Sequence, residues 1–196
     1  MFRQAGVSQG RARLVVVVVE RGPHRGRRAP ARITDPHPAL FDPLPVGTRP
    51  SDERHTPRWL FDALGLVFDL DVAAPAGGPR HVPCRAYYTA LDDGLAQPWH
   101  GLVWCNPPFS RVAAWAERCI DHGHGLLLAP MSTNTRWVSD AIGAADTLVP
   151  LPQIKFEAGD HTAQHVSFGI LLYAFGELAA TACAELGVPA FVRANP

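Results

Sequence analysis

The sequence shows no excess of charge and no hydrophobic run of membrane-spanning length. Its 18 Lys and Arg balance its 18 Asp and Glu, so the formal net charge at pH 7 is zero. The apolar run Leu14–Val19 has six residues and is flanked by arginines, whereas a membrane helix needs about 20. These absences argue against a membrane protein and against a strongly basic nucleic-acid-binding domain.

Cysteines are also few and show no pairing by spacing. The four lie at Cys84, Cys105, Cys119 and Cys183 without a CxxC motif, and no secretory signal precedes them. We therefore expect free thiols in a cytoplasmic protein. Cys119, His122 and His124 are close enough in sequence to suggest a zinc site, but the glycine and buried strand that follow favour a helix end. We predict no bound metal.

The charges are distributed unevenly along the chain. Residues 1–32 contain eight arginines and one glutamate, which leaves a net charge of −7 on the remaining residues. Residues 1–54 are rich in Pro, Arg and Gly without a sustained period, which predicts a disordered basic arm. This arm is either a nonspecific DNA contact or a solvated tail. The folded domain is predicted for 55–176, with a C-terminal helix and tail in 177–196.

A buried strand followed by Asn106-Pro107-Pro108-Phe109 is the most informative stretch. The apolar run 101–105 reads as a strand, and it ends at Asn106 because two successive prolines cannot donate to a sheet ladder. Ligands of open α/β sheets bind at the carboxyl ends of strands. The prolines restrict the backbone, so the Asn106 side chain and the Pro107 carbonyl should form a rigid pair of acceptors. The alternative is a strand that ends in a proline turn beside a core phenylalanine.

Two acceptors beside an aromatic ring suit a planar base with an exocyclic amino group. The amino nitrogen of adenine is a weak nucleophile because its lone pair is delocalised into the ring. If Asn106 Oδ1 and the Pro107 carbonyl each accept one amino hydrogen, the nitrogen is drawn towards tetrahedral geometry and its lone pair is directed at an electrophile. Phe109 would stack on the base and fix its plane.

Helical and strand patterns alternate on both sides of this stretch. Thr56 and Pro57 read as the N-cap and first residue of a helix that ends at Gly65, and residues 66–72 read as a strand. Only about thirty residues separate Asp71 from Asn106, too few for two complete strand–helix units, so the sheet must be abbreviated there. Further helices are predicted at 112–120 and 134–144, and further strands at 125–129, 147–151, 153–156 and 166–175. The pattern predicts a doubly wound, Rossmann-like α/β fold whose mostly parallel sheet has an antiparallel edge strand.

The motif 106–109 resembles the NPPY/NPPF motif of amino-methyltransferases that use S-adenosylmethionine. The wider pattern resembles the phage-type DNA N6-adenine methyltransferases, the Dam family of bacteriophages and prophages. The matching pieces, which cover roughly residues 55–175, are Thr56-Pro57 with Trp59 and Phe61, residues 68–74, Tyr88 with Asp93-Gly94-Leu95 and Trp99, residues 103–110, residues 127–130 with Thr135-Arg136-Trp137, and Ile154-Lys155-Phe156.

This resemblance implies S-adenosylmethionine as cofactor, DNA as substrate and a bacterial host cytoplasm as location. It assigns Thr56 and Pro57 to the methionine end of the cofactor and places Asp93 near the adenine or ribose of the cofactor, although Asp93-Gly94 also fits a simple turn. Asp69 and Asp71, two residues apart on one strand, are expected to share a face. Either could hold the ribose hydroxyls or the α-ammonium, with Asp71 preferred, while Ala73 keeps the adjoining wall small; a solvent-facing aspartate is the alternative.

On the substrate side, the resemblance keeps Lys155 and Phe109 as contacts of the target base. The chain departs from the family at Pro152-Gln153, where relatives commonly carry Gly-Arg, which removes a basic side chain near that base. Residues 159–165, with His161 and His165, are expected to form a mobile loop over the site. Asn106, Pro107, Pro108 and Phe109 are the predicted catalytic residues of an N6-adenine methyltransferase of the restriction-modification type.

Several alternatives share the same chemistry or the same fold. Transfer to cytosine N4, to RNA adenine or to protein glutamine also requires a planar amino or amide group. A noncatalytic DNA-binding or antirestriction relative would keep the fold without turnover. The recognition sequence and the oligomeric state, monomer or dimer, are not encoded in any motif.

Overall fold

The computed structural model describes residues 54–151, 154–157, 163–164, 166 and 168–192. The predicted N-terminal arm, the Pro152-Gln153 departure and most of the loop 159–165, including His161 and His165, lie outside the described residues.

Seven strands form one sheet in the order β2-β1-β3-β4-β8-β5-β9. Strands β1 to β4 are parallel, β8 is antiparallel to β4 and β5, and β9 is antiparallel to β5. A separate antiparallel ribbon pairs β6 with β7. The strand bounds are β1 Phe68–Asp71, β2 Cys84–Tyr87, β3 Val103–Cys105, β4 Gly125–Pro130, β5 Thr147–Pro150, β6 Phe156–Glu157, β7 Ala163–Gln164, β8 Ile170–Phe175 and β9 Phe191–Val192.

Four helices cover the two faces of this sheet. They are α1 Arg58–Leu64, α2 Val112–His122, α3 Arg136–Ala144 and α4 Glu177–Ala184. Helices α1 and α4 pack on the face that carries Trp104, whereas α2 and α3 pack on the face that carries Val103 and Cys105. The central strands β4 and β8 are buried at every residue, which explains their continuous apolar sequences. The predicted doubly wound, Rossmann-like α/β fold is confirmed.

Residues 72–102 give the sheet its abbreviated half. Strand β2 pairs beside β1, but no helix lies between β1 and β2 or between β2 and β3 in this fully described stretch. The sheet is therefore abbreviated between Asp71 and Asn106, as the short chain between these residues predicted. Strand β2 itself was missed because it is a short edge strand with alternating half-buried and exposed side chains.

The placement of the antiparallel strand differs from the prediction. The run 166–175 was expected to end the sheet, but β8 lies inside it, between β4 and β5. The edge is the two-residue strand β9, which was predicted to be tail. Burial of both faces explains the uniformly apolar sequence of β8, and this composition does not distinguish an inner strand from a terminal one.

The helix boundaries also required correction at two N-termini. Pro57 is the N-cap residue of α1 and no side chain caps this helix, so Thr56 does not have the predicted capping role. Helix α3 begins at Arg136 rather than at the predicted residue 134, and no side chain caps it. The predicted C-terminus of α1 is confirmed at Gly65, whereas α2 continues two residues beyond the predicted end at 120 and stops at Gly123. Both glycines have φ angles in the left-handed region, 63° and 68°, which glycine adopts without strain. Cys119 and His122 thus belong to a helix end.

Candidate active site

Asn106 follows β3 directly and is held by the segment that precedes α1. Its Nδ2 donates to the Arg54 carbonyl at 2.8 Å and to Thr56 Oγ1 at 3.2 Å. Both donor positions of the amide are used, and this orients the side chain. Within the described residues, no hydrogen bond reaches Asn106 Oδ1, so the acceptor end remains available to a ligand.

The next three residues keep the loop compact. Pro107 is buried, and the Arg111 N–H donates to the Pro108 carbonyl at 3.0 Å at the start of a 3-10 turn over Phe109–Arg111. In the described part of the chain, the Pro107 carbonyl accepts no backbone hydrogen bond. The structure therefore leaves the two acceptors unbonded, as required for the predicted pair, although their joint action on a base stays a prediction.

The Phe109 ring belongs to an aromatic cluster. Its centroid lies 6.0 Å from those of Phe156 and Phe168, both in edge-to-face geometry. The guanidinium carbon of Arg54 lies 5.0 Å from the Phe109 centroid, within cation–π range. Lys155, the predicted substrate contact, is exposed next to Phe156. The structure thus places Phe109 beside Phe156, and the predicted contacts of Phe109 and Lys155 with the target base stay a prediction.

Thr56 lines a pocket and holds Asn106, while its predicted contact with the cofactor stays a prediction. It is 4% exposed and its hydroxyl accepts the hydrogen bond from Asn106. The adjacent His55 forms a two-way backbone bridge with Glu157, with N–O distances of 2.9 and 3.0 Å. Thr56 therefore connects the segment preceding α1 to the 106–109 loop, and this segment is fixed to β6.

Asp71 is the buried carboxylate of the site. It is 2% exposed at the carboxyl end of β1, and its Oδ1 accepts the Ala73 N–H at 3.1 Å. Among the described residues it forms no ion pair, and burial raises its pKa to about 7, against the smaller opposing effect of the Ala73 hydrogen bond. Asp71 lines a pocket with Asn106 and Thr56, so three predicted site residues converge.

This pocket lies at the carboxyl ends of β1 and β3. It is a narrow pocket with a cavity volume of about 20 Å³, and it opens to solvent. A neighbouring groove shares His55, Pro75 and Arg80 with it and continues along the Gly77-Gly78 turn. The complete lining of the pocket is His55, Thr56, Asp71, Ala73, Pro75, Arg80, His81, Val82, Trp104 and Asn106.

Asp69 does not line the pocket with Asp71. Phe68 packs with Trp104 and Leu70 packs with Val103 on the opposite face, so the regular alternation on which the shared face was predicted is interrupted between them. The Leu102 N–H donates to Asp69 Oδ2 at 2.8 Å, and Arg85 pairs with Oδ1. These hydrogen bonds lower the pKa of Asp69, that from Leu102 being the largest cause. Both carboxylate oxygens are occupied, so the geometry does not support Asp69 as a cofactor ligand.

Asp93 lies in an exposed turn, and its φ of 52° is the only positive value among the described non-glycine residues. The next residue, Gly94, approaches the backbone just after strand β1 so closely that a Cβ there would lie 2.1 Å from the Val72 carbonyl oxygen. Asp93 is therefore near the end of β1, but it does not line the Asp71 pocket. The prediction that Asp93-Gly94 forms a simple turn is correct, and a contact of Asp93 with the cofactor stays a prediction.

Sequence reasoning missed four residues around the pocket. Arg80 and His81 line it, and both approach Glu157 Oε2, with nitrogen–oxygen distances of 3.6 and 3.0 Å. Trp104 forms part of the wall while it packs against Phe61 at 4.8 Å. Arg80, His81 and Glu157 belong to no motif with a local signature, whereas Trp104 lies in the matching stretch 103–110 without having been predicted as a pocket residue. The backbone bridge between His55 and Glu157 joins the segment before α1 to β6.

The residues present fit S-adenosylmethionine. The buried Asp71 carboxylate has no cationic partner among the described side chains, as expected for a group that receives an ammonium or ribose hydroxyls. The small Ala73 and the aromatic Trp104 offer apolar surface beside it. Asn106 and Phe109 follow at the next strand end, so a methyl donor and a planar acceptor would meet at this edge of the sheet.

Comparison with known proteins supports this assignment. Residues 47–169, well over half of the chain, match the family described as DNA N-6-adenine-methyltransferase (Dam). No curated protein and no solved structure matches the chain. No described helix is long and apolar enough to cross a membrane. The matched region contains Thr56, Asp71, Asn106 and Phe109, and the chain therefore belongs to the DNA N-6-adenine-methyltransferase (Dam) family.

Proposed function

We propose that this protein transfers a methyl group from S-adenosylmethionine to the N6 amino group of adenine in DNA. The observation that carries the proposal is the orientation of Asn106. Its amide NH₂ is anchored by Arg54 and Thr56, so Oδ1 is directed away from these partners and is left as an acceptor next to the Asp71 pocket.

The proposed chemistry is largely a matter of position. The cofactor supplies an electrophilic methyl carbon bonded to a sulfonium sulfur. Asn106 Oδ1 and the Pro107 carbonyl accept the two hydrogens of the adenine amino group, which concentrates the lone pair on N6. N6 then bonds to the methyl carbon as the carbon–sulfur bond breaks, and the surplus amino proton leaves to water.

The target base must leave the DNA stack to reach this loop. Phe109 supplies the aromatic surface for the extruded base, and Phe156 and Phe168 support that ring from its sides. Lys155, which is exposed beside Phe156, is suited to a phosphate contact near the target. Asp71 binds the cofactor in the pocket, and Asn106 lies between this pocket and Phe109.

The test is Asn106→Ala, assayed for transfer of a radiolabelled methyl group to unmethylated DNA. We expect turnover to fall by at least about 100-fold, the usual effect of removing one group that stabilises the transition state. Binding of S-adenosylhomocysteine, followed by calorimetry, should change little. The control is Asp121→Ala, an exposed residue at the far end of α2. Undiminished turnover in Asn106→Ala would contradict the assigned role.

A further inference from the structure

Three aromatic rings beside the 106–109 loop form a row from the core to the surface. Phe156 is fully buried, Phe109 is partly buried and Phe168 is 44% exposed. The Phe109 centroid lies 6.0 Å from each of the other two, and both contacts are edge-to-face. Because Phe109 is the ring assigned to the extruded adenine, Phe168 lies at the solvent-facing end of the base site.

A second large apolar side chain is exposed beside Phe168. Met131, which directly follows β4, is 48% exposed. Its backbone N–H donates to the Gly169 carbonyl at 2.8 Å, and a Cβ placed on Gly169 would lie 3.7 Å from the Met131 Cβ. The adjoining residues Pro130 and Ile170 are paired in the central strands of the sheet. Phe168 and Met131 therefore extend from a well-anchored backbone at the carboxyl end of β4.

The charges near these two side chains favour a nucleic-acid partner. Arg111 ends the 3-10 turn that begins at Phe109, Lys155 precedes Phe156, and both cations are exposed. Exposed cations beside exposed apolar side chains are suited to the phosphates and the bases of DNA. An exposed apolar patch marks a contact with a partner, and this patch is continuous with the Phe109 ring. The partner is therefore the DNA around the target adenine.

We propose that Phe168 enters the space that the target adenine leaves in the DNA stack, and that Met131 packs against the neighbouring base. This inference rests on the proposed function, because it requires an extruded adenine. Extrusion removes the stacking of the adenine on both neighbours and leaves a gap of one base, about 3.4 Å along the strand. A phenyl ring is as thin as a base and recovers part of this stacking, as apolar wedges between base steps do.

The test compares methyl transfer to two duplexes that contain an adenine methylated by the unmutated chain. In the second duplex an abasic site replaces the thymine opposite this adenine, so extrusion breaks no base pair and costs less free energy. We expect Phe168→Ala to lower the transfer rate at least about tenfold on the paired duplex and less than about threefold on the abasic duplex. Met131→Ala should show the same pattern with a smaller loss.

A second measurement reports extrusion without methyl transfer. 2-Aminopurine replaces the target adenine, its fluorescence rises when the base leaves the stack, and S-adenosylhomocysteine is present. On the paired duplex at saturating protein, Phe168→Ala should give less than about half of the rise seen with the unmutated chain. Phe168→Trp, which keeps a flat ring, should restore most of this rise.

Phe191→Ala is the matched control. Phe191 is 43% exposed, like Phe168, but it lies on the outermost strand β9. This variant should behave like the unmutated chain on both duplexes. Phe168→Leu keeps the apolar volume without the flat ring and provides the same comparison if the alanine variant does not fold. Thermal unfolding of each variant verifies that it is folded.

The outcomes separate this inference from the proposed function. Equal losses on both duplexes would show that Phe168 only supports the Phe109 ring, and no loss on either would show that it does not contact the DNA. Both results would overturn the inference and leave the proposed reaction intact. Failure of the unmutated chain to methylate any adenine in DNA would overturn the proposed function, and with it this inference.

Discussion

At the scale of single residues, the site depends on which end of each polar group is already bonded. The two donor hydrogens of Asn106 are held by Arg54 and Thr56, so its oxygen is the end presented to a ligand. Asp69 illustrates the opposite case, because Leu102 and Arg85 occupy its carboxylate. The same residue type, two positions along one strand, therefore serves the fold at 69 and the pocket at 71.

Asp71 should make the stability of the protein dependent on pH. Its pKa is raised from 3.8 to about 7 by burial, so its contribution to stability is fully present below pH 3.8 and is lost as the pH rises through about 7. Asp71→Asn removes this ionisation. Relative to the unmutated chain, the variant should gain about 2 kcal/mol, or roughly 4–8 °C in melting temperature, between pH 5 and pH 8.

Thermal melts of both proteins at pH 5 and pH 8, without ligand, provide the measurement. Asp121→Asn is the control, since Asp121 is exposed and the same substitution there should give the same difference at both pH values. A melting difference between Asp71→Asn and the unmutated chain that does not change with pH would show that Asp71 ionises as freely as a surface aspartate.

At the scale of elements, the chain between β1 and β3 replaces the missing helix with tightly packed turns. Trp99 Nε1 donates to the Gly94 carbonyl at 2.7 Å, and the Trp99 ring stacks on Trp115 of α2 at 6.2 Å. Gly94 itself lies against the backbone of Val72. This packing fixes the Asp93 turn beside the strand that carries Asp71.

Two glycine-to-alanine substitutions test this packing. Gly94→Ala should destabilise the protein by about 2 kcal/mol or more, because the new Cβ would meet the Val72 carbonyl oxygen at 2.1 Å, a backbone atom that cannot easily move. Gly143→Ala in α3 is the matched control. It meets nothing within 4 Å and should stabilise the helix by about 0.5–1 kcal/mol. Urea denaturation midpoints measure both, and equal effects would contradict the described contact.

The elements also show what sequence patterns can reveal. Helices α2 and α3 and strands β1, β3, β4, β5 and β8 were predicted because each has a local period or an apolar run bounded by Gly or Pro. Strands β2 and β9 were missed because edge strands of two to four residues have no such period. The position of β8 inside the sheet depends on pairing between distant residues, which no local pattern encodes.

The residues of the site were likewise predicted only where a local pattern marks them. Asn106, Phe109 and Asp71 were predicted because strand ends and a short motif mark them. Arg80 and His81 contact Glu157, which lies more than 70 positions later in the sequence, and the bridge between His55 and Glu157 joins residues about 100 positions apart. Side chains brought together by such pairing carry no signal in a single sequence.

At the scale of the whole molecule, charge and fold are separated along the chain. The sheet and its site lie in a part of the sequence with a net charge of −7 outside residues 1–32, whereas a DNA substrate is a dense polyanion. Contacts with phosphate must therefore come from the arginine-rich residues 1–32 or from individual cations near the 106–109 loop, such as Arg111 and Lys155, both of which are exposed. Sequence-independent attraction to DNA is expected to be weak for the folded domain alone.

The identity of the methylated nucleoside tests the central claim most directly. Unmethylated DNA of diverse sequence is incubated with the full chain and S-adenosylmethionine, digested to nucleosides and analysed by mass spectrometry, with Asn106→Ala in parallel. We predict N6-methyladenine with the unmutated chain and none above background with Asn106→Ala. N4-methylcytosine, or no methylated nucleoside at all, would contradict the proposed reaction.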